Sequence, residues 1–166
     1  MSARKKTRFL VRAAVIAALY VVLTYLSAAL GLSGQGLIQL RFSEALCILP
    51  YFTPAAVPGL ALGCLISNLL TGAHVLDIIF GTLATLLGAL GTRMLRKYRF
   101  LTPVPPILAN TLIVPFVIRY AYLSTDVAFP ILFLTVGVGE VISVGVFGIV
   151  LLLALEKSRK VLFADE

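Results

Sequence analysis

The stretch QLRFSEALCILPYFTP, residues 39–54, sets an arginine and a glutamate three positions apart at the head of an apolar run that Pro50 interrupts. Taken as an α-helix, residues 42–52 rise about 16 Å at 1.5 Å per residue, against a hydrocarbon core of about 30 Å in a bilayer. Whether so short a segment crosses decides which side of the membrane everything after it occupies.

The surroundings make the question unavoidable. Of 166 residues, 60% are hydrophobic and 13% charged, and the mean hydropathy is +1.06, more apolar side chain than a soluble domain of this size buries in one core. The chain reads as an all-α integral membrane protein. Neither a Pro/Ser-rich or charge-rich linker nor an internal repeat divides it, so residues 1–166 read as a single membrane domain. The net charge of +7 raises nucleic acid as a partner, but the basic residues punctuate apolar segments instead of interleaving with aromatics on a polar face, and no nucleic acid is expected. Cys47 and Cys64 lie in apolar spans without CxxC or Cys/His spacing and read as buried thiols. No cofactor or metal site is indicated.

Hydropathy places long spans at residues 9–30, 55–71, 75–92, 105–122 and 128–155, each near or above the ~17 residues a crossing needs. The first follows the basic ARKKTR but is longer than the ~7–15 residues of a signal-peptide core, and reads as a retained helix. Basic residues gather before the first span (Arg4, Lys5, Lys6, Arg8, Arg12), in RMLRKYR (93–99) and in EKSRK (156–160), 12 of the 14 Lys and Arg. If the opening stretch crosses, all three clusters lie on the cytoplasmic side, as the positive-inside bias requires; if it does not, the second and third face outward. A sixth span is therefore assigned to residues 37–53, about 25 Å if α-helical, with Arg41 kept near the outer interface by its long side chain. Pro50 kinks it or ends it against the following TPAAVPG turn. The expected architecture is a six-helix bundle with N and C termini cytoplasmic, and outer connections at GLSGQGLIQLR (31–41), TGAHVLD (71–77) and STDVAF (124–129).

An acidic side chain mid-helix in a membrane costs on the order of 2.5–3.5 kcal/mol on insertion scales, so each needs a partner, a wet cavity or a role. Glu140, in TVGVGEVISVGVFG (135–148), stands about 18 Å into the last span, near the midplane. It reads as a ligand contact or as an interhelical hydrogen bond. Asn110 in PILANTLIV (106–114) is also near mid-depth and Asn68 in LISNLL (65–70) lies further out; either can equally be interhelical glue. Glu44 and Asp77 occupy first helical turns, where the macrodipole alone favours an acid, and Arg41 with Glu44 can form a plain i, i+3 pair. His74 and Arg119 lie near outer ends, where a headgroup contact is the ordinary role. With these groups in the outer half or at the midplane, the pattern describes a polar pocket open to the outside. Phe80, Phe116 and Tyr120 can stack a flat ligand, or face lipid or core. In the first span, RAAVIAALY (12–20) places Ala13 with Ala17 and Ala14 with Ala18 at i, i+4, small-residue stripes for close helix approach. They serve packing inside the bundle or a partner membrane subunit.

With RAAVIAALY in the first helix, LRFSEALCILPYFTPAAVPGLALGCLISNLLTG (40–72) over the second and third, and LDIIFGTLATLLGA (76–89) in the fourth, the chain resembles the QueT family. These are substrate-binding S components of energy-coupling factor (ECF) transporters for queuosine precursors. The resemblance covers nearly the whole chain and is most specific from RFSEAL to SNLL. It implies a subunit of the prokaryotic plasma membrane that captures its solute outside and works with an ECF T subunit and two ATPases, which supply the ATP hydrolysis. The chain itself is then not an enzyme, and no Walker motif occurs in it. It also implies that the Ala13, Ala14, Ala17 and Ala18 face docks on the T subunit. For a 7-deazaguanine such as 7-aminomethyl-7-deazaguanine, Glu140 would read the guanine-type edge, Asn110 and Asn68 would complete the polar frame, Glu44 or Asp77 would face the ammonium, Arg41 would stand at the rim, and Phe80 would stack.

Three other readings compete. An S component for another vitamin-like solute would share everything but the pocket. An integral membrane enzyme would use Glu140, Asp77 and His74, but HExxH, GxSxG and carboxylates at metal spacing are absent from the sequence. An autonomous carrier would have Glu140 titrate as solute moves.

Overall fold

The run from Phe42 to Tyr51 has no polar face, and a helix that is apolar all round has to be buried all round. In the computed structural model, which describes residues 3–32, 40–122 and 128–163, this segment is the middle of the bundle. Ser43 to Pro50 are all buried, and the segment packs against α1 (Ala3–Ala29), α2 (Ala56–Leu70), α3 (Val75–Met94) and the rod Phe129–Lys157. It is a 3-10 helix, ten residues long. At about 2.0 Å of rise per residue it spans about 20 Å, where the same residues as an α-helix would span about 15 Å. The α-helical second span expected over 37–53 is corrected accordingly. Arg41 is extended, with φ −119° and ψ 111°, so the 3-10 helix starts after it, at Phe42. Pro50 neither breaks nor visibly ends it, lying one residue inside its end. The expected outer connections over 33–39 and 123–127 lie outside the described residues.

The described residues are helical with no strand. Four helices are long and apolar enough to cross a membrane: Ala3–Ala29, Val75–Met94, Arg99–Tyr122 and Phe129–Lys157. Two shorter apolar helices, Phe42–Tyr51 and Ala56–Leu70, accompany them. Large apolar side chains cover the outside, among them Leu10, Val22, Leu112, Leu134 and Val150, a surface that only a lipid environment tolerates. The molecule is a multi-pass membrane protein. The first helix begins at Ala3, two turns before its apolar run, since Lys and Arg are good helix formers that continue a helix into water.

Around the central segment the helices pack in chain order, α1 on α2, α2 on α3, α3 on α4 (Val104–Val117), and α4 on α5 (Phe129–Glu140). The α4 helix contains Pro115 and relaxes into a π-helical turn, Ile118–Tyr122. After α5 the chain continues as a π-helical stretch, Val141–Gly148, and then α6 (Ile149–Lys157). Leu132, Val136, Val144, Gly148 and Leu152 along this rod are buried and share a strict four-residue spacing with Glu140. In a pure α-helix that spacing drifts by about 40° per step. The wider π turns take up the drift and keep one face inward.

Contacts sort the bundle into two ends. At one end Arg93 Nη1 donates to Pro50 O at 3.0 Å, Tyr51 Oη donates to Glu156 Oε1 at 3.1 Å, Arg99 pairs with Glu156 at 3.3 Å, and Arg12 Nη2 donates to Leu162 O of α7 (Arg159–Leu162) at 3.1 Å. Phe163 stacks on Phe52 there, centroids 5.0 Å apart. At the other end stand Arg41, His74, Asp77 and Tyr122.

The two alanine pairs of α1 part company. Ala13 and Ala17 are buried, while Ala14 and Ala18 are exposed. A Cβ on Gly59 would stand 2.8 Å from Ala13 O, and one on Gly63 would stand 2.6 Å from Tyr20 Cβ and 3.0 Å from Ala17 O. Expected docking by Ala13 and Ala17 is thus replaced by packing within the bundle, because the glycines of α2 admit α1 at backbone distance. Overpacking of this kind costs about 1–3 kcal/mol. Gly63→Ala is expected to lower the thermal unfolding temperature of the purified protein clearly. Gly145→Ala, whose Cβ would meet its nearest neighbour at an ordinary 3.7 Å, is expected to leave it within a degree or two.

Candidate functional site

The start of a buried helix leaves backbone N–H groups that need acceptors. Here Phe42 N donates to Ser27 Oγ at 2.8 Å and Arg41 N to Ser143 Oγ at 3.3 Å, so hydroxyls from α1 and the π stretch seat the head of the 3-10 helix. Ser27 in turn donates to Leu23 O at 2.9 Å. This seating aims Glu44, one turn on, into the bundle.

Glu44 is only 3% exposed. Tyr20 Oη donates to its Oε1 at 2.5 Å, while Cys47 Sγ at 3.2 Å and Asn110 Nδ2 at 3.4 Å converge on Oε2. The expectation of a rim acid answering to the helix dipole is corrected: the carboxylate is held by side-chain donors from α1, its own helix and α4. Arg41 turns to α3, where its Nη2 lies 3.9 Å from Asp77 Oδ2. The i, i+3 pairing with Glu44 gives way to an interhelical one. Asp77 also accepts from Tyr122 Oη at 3.0 Å, and that hydroxyl accepts from His74 N at 3.0 Å. His74, expected at a headgroup, caps α3 through its Nδ1, which accepts from Leu76 N at 3.2 Å.

Five of the seven expected ligand residues, Arg41, Glu44, Asp77, Asn110 and Glu140, line one cavity together with Cys64, Gly81 and Thr85. The other two do not. Asn68 is buried beside it and donates to Asp77 O at 3.2 Å and to Cys64 Sγ at 3.7 Å, which ties α2 to α3. Gly81 makes room for this crossing, since a Cβ there would stand 2.9 Å from Asp77 Oδ1 and 3.3 Å from Asn68 Nδ2. Phe80, one position before Gly81 and so about 100° round the helix, faces outward. It lines a separate apolar groove of about 450 Å³ with Leu76, Leu112, Phe116 and Tyr120. Apart from the Tyr120 hydroxyl, the side chains lining that groove are apolar. Arg119 lies over the Phe129 ring, 5.7 Å from its centroid.

Within the polar cavity the acceptors outnumber the donors. Three carboxyls face one guanidinium, and Glu140 Oε2 is sealed from solvent with no hydrogen-bond partner. A buried carboxyl oxygen left open in this way is suited to a ligand that brings N–H donors. The cavity holds about 30 Å³, room for roughly one water, whereas pockets for small organic ligands measure roughly 300–1,000 Å³. A bicyclic ligand enters only if the surrounding helices part. Cys47 and Cys64 are buried free thiols, as their apolar setting implied. Tyr20, Thr85 and Tyr122 escaped the sequence reading. For Tyr20 the available signal was its place three residues after Ala17, on the stripe that packs inward.

Residues 10–157 match the model of a family described as the QueT transporter. The chain is also 40% identical, over 83 residues, to a Lactococcus lactis subsp. cremoris (strain MG1363) protein named queuosine precursor transporter QueT. That alignment takes in 50% of this chain and 48% of the relative, so it spans about half the length of the curated relative. No solved structure matches the chain. With most of its length covered by one family model, and with an all-helical membrane architecture around a buried polar cluster, the chain belongs to the QueT transporter family.

Proposed function

We propose that this chain is the substrate-capture subunit of an ATP-driven ECF importer in the plasma membrane of a prokaryote. It takes up a queuosine precursor, a 7-deazaguanine such as 7-aminomethyl-7-deazaguanine, from outside, and releases it inward with a T subunit and two ATPases. The single observation that carries the proposal is the open Glu140 oxygen in a buried cavity shared with Arg41, Asp77 and Asn110, in a chain of this family. Six crossings with both termini inside accompany it. They are supported by the gathering of Arg12, Arg93 and Arg99 at one end of the bundle, together with the end of the 3-10 helix, since the positive-inside bias makes that end cytoplasmic.

The described contacts narrow the ligand set. Glu44 has its donors already, and Asp77 is taken by Arg41 and Tyr122. Glu140 is then the acceptor for the guanine-type edge, with Asn110 beside it, and the Arg41–Asp77 pair lies at the outer rim. A carboxylate accepts two parallel hydrogen bonds from such an edge, and bonds to a charged group are worth about 1.5–3 kcal/mol each. Glu140→Gln is expected to weaken binding of the preferred 7-deazaguanine at least about tenfold, or ~1.4 kcal/mol. Titration of the purified protein with 7-cyano-7-deazaguanine, 7-aminomethyl-7-deazaguanine and queuine measures this. Equal affinities for wild type and variant would remove Glu140 from the site.

The exposed pair Ala14 and Ala18 lies on a face of α1 flanked by Val11, Val15 and Val22, all more than half exposed, and is the part of the alanine pattern left for the T subunit. Ala14→Trp or Ala18→Trp is expected to bind ligand as wild type does. Uptake driven by the assembled transporter in proteoliposomes should fall at least about tenfold. Undiminished uptake would move the docking face elsewhere.

A further inference from the structure

Tyr20 is 1% exposed, and its hydroxyl reaches Glu44 Oε1 at 2.5 Å, the shortest hydrogen bond at the site. The other donors to Glu44, Cys47 Sγ and Asn110 Nδ2, both go to Oε2 at 3.2 and 3.4 Å. Oε1 is therefore held by Tyr20 alone among these contacts, with the length of a charge-assisted O–H to carboxylate bond. Fixing Oε1 fixes the plane of the carboxylate and so the direction in which Oε2 faces α4. An ionised carboxylate only accepts, so Asn110 must turn its nitrogen toward Glu44. With its nitrogen on Glu44, Asn110 has its Oδ1 as the side left for a donor, in a cavity that Glu140 also lines.

We propose that Tyr20 is a positioning residue of the cavity: through Glu44 it sets the orientation of the Asn110 amide, and with it the donor and acceptor pattern a ligand meets. Tyr20 does not itself line the cavity, and its hydroxyl donates to a lining residue at Glu44. Its ring meanwhile packs at the α1–α2 crossing, where its Cβ is what a side chain at position 63 would strike. Phenylalanine keeps that packing and deletes only the donor.

The chain has two asparagines, Asn68 and Asn110, so labelling with ¹⁵N-asparagine gives two side-chain amide signals, told apart by the loss of one in Asn110→Ala. Tyr20→Phe is expected to shift the Asn110 signal and leave that of Asn68, which bonds to Asp77 O and Cys64 Sγ. It is expected to lower affinity for 7-aminomethyl-7-deazaguanine about tenfold. In a Glu44→Gln background the same substitution should cost less than about twofold, because residues acting through one another are not additive. An unmoved Asn110 signal, or a loss undiminished in that background, overturns the proposal. The affinity arm rests on the function proposed above and the amide arm does not. A wild type that binds no 7-deazaguanine overturns that function, and the Asn110 signal then decides the positioning by itself. If Tyr20→Phe does not fold, the signal is read in a Tyr122→Phe protein carrying 3-fluorotyrosine, whose stronger hydroxyl donor at position 20 should move it; no movement again overturns the proposal.

Discussion

A carboxylate on a helix that has no polar face draws donors from other helices, and Glu44 imposes that requirement on α1 and α4. It stands one turn into the central segment, out of reach of bulk water, where an unpaired charge costs several kcal/mol even after relaxation. The donors it has found come from α1 and α4 as well as from its own helix. Each of those helices is thereby fixed in rotation and depth relative to the centre. The close approach of α1 to α2 at Gly63 follows from the same demand, since Tyr20 reaches Glu44 only if its Cα lies within a glycine's distance of the neighbouring backbone. Apolar packing holds such a bundle together, and the polar contact selects one arrangement of it.

What the sequence reveals, and what it hides, divides along the helical period. Hydropathy locates the four long helices of the described residues, because the apolar run needed to span lipid is itself the signal, but it misses the starts of Ala3–Ala29 and Arg99–Tyr122, which lie in basic sequence. The 3-10 helix and the π stretch are invisible to that signal. Both have apolar residues at nearly every position, so no change in periodicity marks the change in winding. The 3-10 geometry lengthens the short second segment, since ten residues at the larger rise cover a distance for which an α-helix would need about thirteen. In the rod after Phe129, the four-residue recurrence from Leu132 to Leu152 takes its meaning from the structure, where the helix widens.

The company that the polar residues keep was more legible than their wiring. Polar groups inside an apolar span are expensive, and of those that this singles out, Arg41, Glu44, Asp77, Asn110 and Glu140 line one cavity. Pairing is a tertiary property, and spacing misleads about it. Arg41 and Glu44 sit at a helical i, i+3 interval, but Arg41 lies in extended backbone before the helix and meets Asp77 instead. Asn68 shares the rarity of Asn110 but is spent on the backbone of Asp77, three helical positions before Phe80. Phe80 in turn misses the cavity by about one residue's rotation, where Gly81 faces it. Tyr20 was hidden for the opposite reason: a tyrosine near the end of an alanine stripe is an ordinary core residue until the acid that meets its hydroxyl is known.

The α1 helix joins the two halves of this picture. Ala18 and Tyr20 are two residues apart and so about 200° apart around the helix, which puts the exposed alanine face and the hydroxyl bound to Glu44 on opposite sides of one rigid element. A helix of 27 residues moves as a unit, because its backbone hydrogen bonds resist local shear. Anything that displaces its outer face therefore displaces the tyrosine hydroxyl as well, and a hydrogen bond of 2.5 Å weakens steeply with misalignment. The cavity in its present form is too small for a bicyclic ligand, so a ligand of that size would enter or leave it only as helices moved. Of the helices around it, α1 carries a donor to Glu44 on one face and, on the other, the alanines Ala14 and Ala18, exposed among the described residues. A partner seated on Ala14 and Ala18 would act on the same lever that holds Glu44 in place.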